Sequence, residues 1–337
     1  MPSAGSPVVL FTCAGQRVDI VEAFGRAGAT TLAVDVNELA PALYAAERRA
    51  LVPRVDDPGY IGALAVLVEE HDAALVVPLA DLDHRVLAAR REELGVLVLL
   101  PGPETISLCE DKFEAHRFFL EHGIPSPPTW EPEALPDDLE FPVLVKARRG
   151  FGSRHIFRAA DREELDFFVR YTTVDSMIQS VCKGTEFSID VFCDLDGRCL
   201  GAVPRTMIES KGGESIKGMT IKDADLIEHG CRVAEAMGMV GPANVQCFRE
   251  PDGSLPVTDV NPRFGGGFPA PTAAGSRYPE LALALARGER PEPRLGAFRE
   301  GILMTRYFSQ VILERSDGKL APLGDAVPLG DPSAGEA

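Results

Sequence analysis

Lysine is scarce in this sequence: seven lysines, at positions 112, 146, 183, 211, 217, 222 and 319, stand against 27 arginines in 337 residues. Arginine is the default cation, so a retained lysine is a candidate for a place that needs a compact ammonium rather than a planar fork. That draws attention to Lys112 and Lys146. Long apolar runs are also missing. The strongest, residues 95–100, is strand-sized and far below the roughly 18 residues of a membrane span. The first residues lack a basic start and a long apolar stretch, so no secretory leader is expected. No C-x-x-C occurs among the seven scattered cysteines, which read as free thiols in a reducing, cytoplasmic compartment. Positive charge is in deficit, with a formal net charge of −17, which argues against nucleic acid or an anionic membrane as partner. Neither G-x-x-x-x-G-K-[ST] nor G-x-G-x-x-G is present, so a Walker loop is excluded and a dinucleotide site at Cys13, Gly15, Arg17 and Asp35 is disfavoured.

The length suits two or three domains. Over residues 8–100, short Val- and Leu-rich runs at 8–13, 31–35, 74–78 and 96–100 alternate with helical spacing at 17–27, 58–71 and 82–93. This predicts an α/β unit with a parallel sheet. One helix is expected over 104–122, introduced by Pro103 and stopped by Gly123. From about 141 to 265, apolar runs broken by Lys-Gly and Asp-Gly turns predict an α+β region with antiparallel hairpins, and another helix is expected over 223–237. The Gly-, Ala- and Ser-rich end reads as a frayed tail.

Three segments carry chemistry. The first delivers Lys146 at the end of an apolar strand, followed by the glycine loop of Gly150, Gly152 and Ser153. Glycines let backbone N–H groups approach phosphate oxygens, and a lysine beside them neutralises charge. In the second, two apolar strands flank a short link running from Gln179 through Val181, Cys182 and Gly184 to Glu186. A purine can hydrogen-bond to such a backbone, and a carboxylate just beyond can hold both ribose hydroxyls. The third is the most specific: a strand with Gln246, a turn at Asp252 and Gly253, then Asp259-Val-Asn261-Pro-Arg263 and three glycines. Asp259 and Asn261, two apart on one strand, share a face. With Gln246 on the neighbouring strand they offer the oxygen ligands that suit Mg²⁺. The triple glycine is expected to open an approach for an anionic group. Arg205, Lys211 and Lys217 are expected on a loop between strands, as a basic lid over the reacting groups.

Together these segments resemble the ATP-grasp superfamily, and among its members the single-module relatives of the carbamoyl phosphate synthase large subunit. The likeness runs over about residues 8–310, and its sharpest motif has Asp259 where Glu is usual. The resemblance implies a Rossmann-like pre-ATP-grasp domain over 1–102 and a two-lobed ATP-grasp domain over 103–330. The clasping lobe would span about 125–190 and the C-terminal lobe about 191–330, with a tail at 331–337. It implies that Lys112, in an Asp-Lys pattern, opens the ATP-grasp region, and that Lys146 contacts the α- and β-phosphates under the 150–153 loop. Gln179 and the backbone of Val181 and Cys182 would hold adenine, and Glu186 the ribose. Gln246, Asp259 and Asn261 would bind Mg²⁺ or Mn²⁺, with two ions expected, and Arg263 would meet the reacting phosphate.

The reading is an ATP-dependent carboxylate–amine ligase with an acyl phosphate intermediate, acting on small molecules, with a homodimer as its assembly. The alternatives are activation of bicarbonate in the manner of carbamoyl phosphate synthase, and an ATP-binding sensor without turnover.

Overall fold

The computed structural model describes residues 6–150, 155–211, 214–316 and 318–323. The expected frayed tail, Gly152 and Ser153 lie outside the described residues.

Five parallel strands form the first sheet, in the spatial order Arg48–Leu51, Thr30–Asp35, Val8–Thr12, Ala73–Pro78, Leu97–Val98. The three inner strands are Val-, Leu- and Ala-rich because both faces are covered by helices. Arg48–Leu51 escaped the sequence reading. It is an exposed edge strand of sequence RRAL, and charge on an edge discourages pairing with other chains. The strand order reverses between Val8–Thr12 and Ala73–Pro78, and the crevice beyond the carboxyl ends of such strands is where ligands bind in folds of this kind.

The expected helix over 104–122 is two helices, Pro103–Glu110 and Lys112–Glu121. Asp111 between them is extended (φ −106°, ψ 95°), and its carboxylate accepts the backbone N–H groups of Phe113 and Glu114. The helical spacing runs straight through the break, so periodicity alone does not reveal it. An aspartate at the N-cap gives the second helix its own start and puts Lys112 at its first turn.

The smaller lobe is an antiparallel sheet of Thr129–Trp130, Ser176–Ser180, Val143–Ala147 and Ile156–Ala159, backed by the helix Arg162–Tyr171. Its core of Val143, Val145, Ala159, Leu165 and Ile178 is its own. The larger lobe is built on a second antiparallel sheet ordered Cys199–Thr206, Thr185–Cys193, Gly241–Arg249, Val257–Asn261. The lobe boundary expected near 190 falls inside Thr185–Cys193, so sheet membership moves it to the link after Ser180.

The first unit and the larger lobe each have a core of their own and share a further one. Phe11 and Phe24 meet edge to face at 5.2 Å, Phe24 meets Phe264 at 6.0 Å, and Phe264 meets Phe268 at 4.5 Å. This aromatic chain belongs to one continuous buried cluster that also holds Phe192, Tyr278 and Leu283. This shared cluster joins the first unit to the larger lobe, whereas the smaller lobe's core is not part of it.

In the middle of the larger sheet, Arg205 and Asp190 form an ion pair at 2.8 Å with side-chain exposures of 2% and 4%. Removing one partner leaves a buried charge uncompensated. Asp190→Ala is therefore expected to lower the unfolding free energy by about 3–5 kcal/mol, read as a shift of the urea midpoint. A loss under about 1 kcal/mol would mean that the pair behaves as a solvated one.

Candidate active site

A cavity of about 860 Å³ opens where the three parts meet. Its walls come from the first unit's two loops beyond the strand ends (Cys13 to Arg17, Leu79 to Leu82), from the small lobe's inner face, and from the sheet of the larger lobe.

Lys146 lies near the end of the strand Val143–Ala147 and is buried; its ammonium donates to Gln179 Oε1 at 3.2 Å. Gln179 in turn donates from Nε2 to Thr129 Oγ1 at 3.0 Å, so one relay crosses three adjacent strands. Burial pulls the Lys146 ammonium below its ordinary pKa, partly offset by the charge of Asp259. Lys112 donates to the carbonyl of Gly150 at 2.8 Å and stands 3.6 Å from Asp259 Oδ1. The two retained lysines that the composition singles out therefore face one carboxylate.

Asp111 holds the strand end beside them. Arg148 Nε and Arg149 reach its two oxygens, each at 2.7 Å. Burial raises the Asp111 carboxyl, but hydrogen bonds from Arg148 and the Glu114 backbone outweigh it and hold the group below the usual carboxylate range.

Val181, Cys182 and Glu186 line the cavity with Gln179. The link between the lobes is fixed from behind. The Lys183 N–H donates to the Glu250 carboxylate at 3.0 Å, and a Cβ at Gly184 would fall 1.8 Å from the Arg249 carbonyl oxygen. Only glycine fits there. Burial raises the carboxyl of Glu186, with Arg205 and Lys146 pulling weakly the other way. Burial likewise pushes the Cys182 thiol up to about 12 and raises that of Cys13, so neither cavity-lining cysteine is a thiolate.

The proposed metal face is assembled by strand register. Gln246 pairs directly with Asp259, and Asn244 with Asn261. Asn261 Nδ2 lies 3.4 Å from Asp259 Oδ2, and Arg263 donates to Asn261 Oδ1 at 3.3 Å. Asp259 is the single carboxylate of the set, and among the described residues no group of three His, Cys, Asp or Glu converges to hold an ion. One carboxylate with neutral oxygens around it fits Mg²⁺, which takes its remaining ligands from water and phosphate.

Two of the expected catalytic residues sit elsewhere. Arg205 is not on a loop: it belongs to the strand Cys199–Thr206 and lies under the cavity, donating to Asp190, Ser188 and Ser215 at 2.8, 2.9 and 3.0 Å. The stretch after it is a hairpin of Glu209–Lys211 and Glu214–Met219 rather than an open loop. On it, exposed Lys217 pairs with Glu209 at 2.6 Å and does not line the cavity. The triple glycine is also used differently from the expectation. A Cβ at Gly265 would lie 2.4 Å from Asp190 Oδ1, and one at Gly267 would lie 2.2 Å from Arg205 Cζ. These glycines let the chain close down on the buried polar network.

Sequence reasoning missed Asn244, whose amide donates to Ser188 Oγ at 2.8 Å and Asp190 Oδ1 at 2.9 Å. The signal was there, since Ser188 and Asp190 alternate with Phe187, Ile189 and Val191 and so share a face. It also missed Asp81, which accepts from Arg263 Nε at 3.1 Å. Nothing local marks Asp81, because its partner is 182 residues away in the chain. The disfavoured dinucleotide site is closed by the protein itself. Asp35 accepts the Gly15 N–H at 2.9 Å, taking the donor that a pyrophosphate would need.

Two family models match. Residues 172–308 match the one described as ATP-grasp in the biosynthetic pathway with Ter operon, and residues 9–99 match the PylC-like, N-terminal domain. Over residues 172–308 the chain is therefore similar to the ATP-grasp superfamily. Among curated relatives is the carbamoyl phosphate synthase large chain of Gemmatimonas aurantiaca, 28% identical over 248 residues, which are 67% of this chain and 22% of that protein. The corresponding large chain of Corynebacterium glutamicum is 26% identical over 70% of this chain and 23% of its own length. The match thus spans less than a quarter of these relatives. Among solved structures, the biotin carboxylase domain of the Hydrogenobacter thermophilus 2-oxoglutarate carboxylase, a dimer in complex with MgADP, ADP and bicarbonate, covers 88% of this chain and 73% of its own at TM-score 0.71 and 18% identity. The N5-carboxyaminoimidazole ribonucleotide synthetase of Thermotoga maritima covers 85% and 77% at TM-score 0.65 and 18% identity. The ATP-grasp fold is thereby shown, including its pre-ATP-grasp unit. No helix among the described residues is long and apolar enough to cross a membrane.

The Lys146–Gln179 contact gives a direct test. Gln179→Leu leaves a buried ammonium without that acceptor and is expected to lower the nucleotide-free stability by about 1–3 kcal/mol in urea unfolding. An unchanged midpoint would mean that the ammonium has found solvent.

Proposed function

We propose that this chain is an ATP- and Mg²⁺-dependent carboxylate–amine ligase that works through an acyl phosphate and releases ADP and phosphate. One observation carries the reading: Lys112, Lys146, Asp259, Asn261 and Arg263 line one cavity together with the inter-lobe link and Glu186. That arrangement gathers charge for a triphosphate while leaving room for further substrates from the first unit's side.

Adenine would lie against the link at Val181 and Cys182, beside Gln179, with the ribose hydroxyls on Glu186. Lys146 and Lys112 would neutralise phosphate oxygens. Asp259, Gln246 and Asn261 would hold Mg²⁺, which would supply charge neutralisation for the phosphates. A carboxylate oxygen attacks the γ-phosphorus, the bond to the β–γ bridging oxygen breaks, and ADP leaves with that electron pair. The amine then attacks the acyl carbon, phosphate departs with the former carboxylate oxygen, and the nitrogen loses a proton. Arg263 would stabilise charge on the transferred group. Positioning and electrostatics supply such a transfer, which needs no protein nucleophile.

Oxygen-18 placed in the carboxylate is expected in the released phosphate. Label retained wholly in the organic product, or AMP among the products, would exclude the acyl phosphate route. Turnover with bicarbonate and with no organic acid would favour the carbamoyl phosphate route instead; the relatives named as carbamoyl phosphate synthase and the bicarbonate complex of the Hydrogenobacter domain keep that reading in view.

Glu186 predicts a pH dependence. Its ribose contacts need the carboxylate, and burial has raised its pKa. ATP affinity is expected to fall as pH is lowered, with onset at a higher pH than an ordinary glutamate would give. Glu186→Gln should weaken ATP binding by about tenfold or more and flatten the pH profile. Calorimetry showing the same affinity and slope in the variant would refute the ribose assignment.

A further inference from the structure

We propose that Asp81, from the pre-ATP-grasp unit, is the positioning residue for Arg263, so that the phosphate end of the site is aimed from a different domain. The inference rests on the ligase reading above for its kinetic consequences and on geometry for its content.

Arginine has five N–H donors in a rigid plane. In Arg263, Nε donates to Asp81 Oδ2 at 3.1 Å, one terminal nitrogen donates to the Phe264 carbonyl at 3.2 Å, and the other to Asn261 Oδ1 at 3.3 Å. One N–H on each terminal nitrogen is left without a partner among the described residues. Both Asp81 and Arg263 line the cavity. A guanidinium fixed through Nε, with a donor remaining at each tip, suits an anion that takes two parallel hydrogen bonds, as a phosphoryl group or a carboxylate does.

Asp81 does not act on this stretch alone. Arg17, on the other loop of the strand-order reversal, donates to the carbonyls of Phe264 and Gly265 at 3.0 and 3.1 Å and is paired with Asp19 at 3.1 Å. The two loops that bound the first unit's crevice therefore hold three consecutive residues, 263 to 265. On its far side Asp81 lies 3.9 Å from buried His84, which limits where the carboxylate can turn. Arg263 and Asp81 are 20% and 24% exposed. The pair is part-buried, short of the full burial at which breaking an ion pair is strongly destabilising. Asp81→Asn, which keeps the shape and one acceptor, should therefore show in the aim of the guanidinium and leave the fold intact.

The test compares wild type with Asp81→Asn and Asp81→Glu. Three quantities are read: urea stability, calorimetric ATP affinity, and the side-chain Nε–H NMR signal of Arg263, assigned by its loss in Arg263→Lys. Asp81→Asn is expected to keep stability and ATP affinity, to lose the Arg263 Nε signal to averaging, and to lower ADP-forming turnover about 100-fold, as a misplaced group does. Its KM for ATP should stay unchanged, and Asp81→Glu should recover most of the turnover and the signal. A persistent Nε signal in Asp81→Asn, or turnover within a few-fold of wild type, overturns the inference. If wild type releases no ADP with any carboxylate tried, the ligase reading falls. The positioning claim is then decided by the Nε signal together with calorimetric binding of inorganic phosphate in the presence of MgADP. Weaker phosphate binding with a lost signal in Asp81→Asn upholds it, and unchanged binding or a retained signal overturns it.

Discussion

The rest of the site depends on the buried ion pair between Arg205 and Asp190. Two charges at 2% and 4% exposure are tolerable only when nearly every lone pair and N–H is answered, and here the answers come from all sides. Ser188, Ser215 and Asn244 fill the plane of the pair, and the chain at Gly265 and Gly267 closes over it where no Cβ fits. Asn244 is thereby pinned, and with it the register that sets Asn244 against Asn261 and Gln246 against Asp259. The face that would hold Mg²⁺ is the upper surface of a polar network whose lower half cannot shift without exposing a charge.

A second constraint governs charge. The protein is strongly acidic, yet the cavity must attract phosphates. It does so by committing the neighbouring carboxylates elsewhere. Asp111 is taken by two arginines and a helix start, Asp35 by backbone donors, and Asp81 by Arg263. Asp259 is left with an ammonium at 3.6 Å. Local potential in a cleft follows such pairings more than it follows net charge.

Most of the parallel unit was legible, because buried strands must be apolar and the helices between them must show one apolar stripe. The edge strand at Arg48 was not, since an edge is charged for reasons unrelated to burial. The break at Asp111 was invisible to periodicity, although an aspartate before a lysine fits an N-cap. The placing of Asp259, Asn261 and Arg263 together was legible because alternation along one strand is a local property. Arg205 misled because a basic residue near glycines reads as a solvated loop, while the carboxylate that buries it stands 15 positions earlier on another strand. Asp81 and Asn244 act across strands and domains, and one sequence does not encode such pairings locally.

The unequal division of the cores has an energetic consequence. The first unit and the larger lobe share one aromatic cluster, whereas the smaller lobe rests on five fully buried side chains of its own. A chain built this way has two cooperative units of different strength, and the weaker one can loosen while the stronger stays intact. Lys146 and the relay through Gln179 to Thr129 belong to the weaker unit. On the proposed reading, nucleotide binding would be coupled to a local ordering reaction. Part of the free energy of binding goes into consolidating that lobe, and heat should erode affinity for nucleotide well before it unfolds the protein.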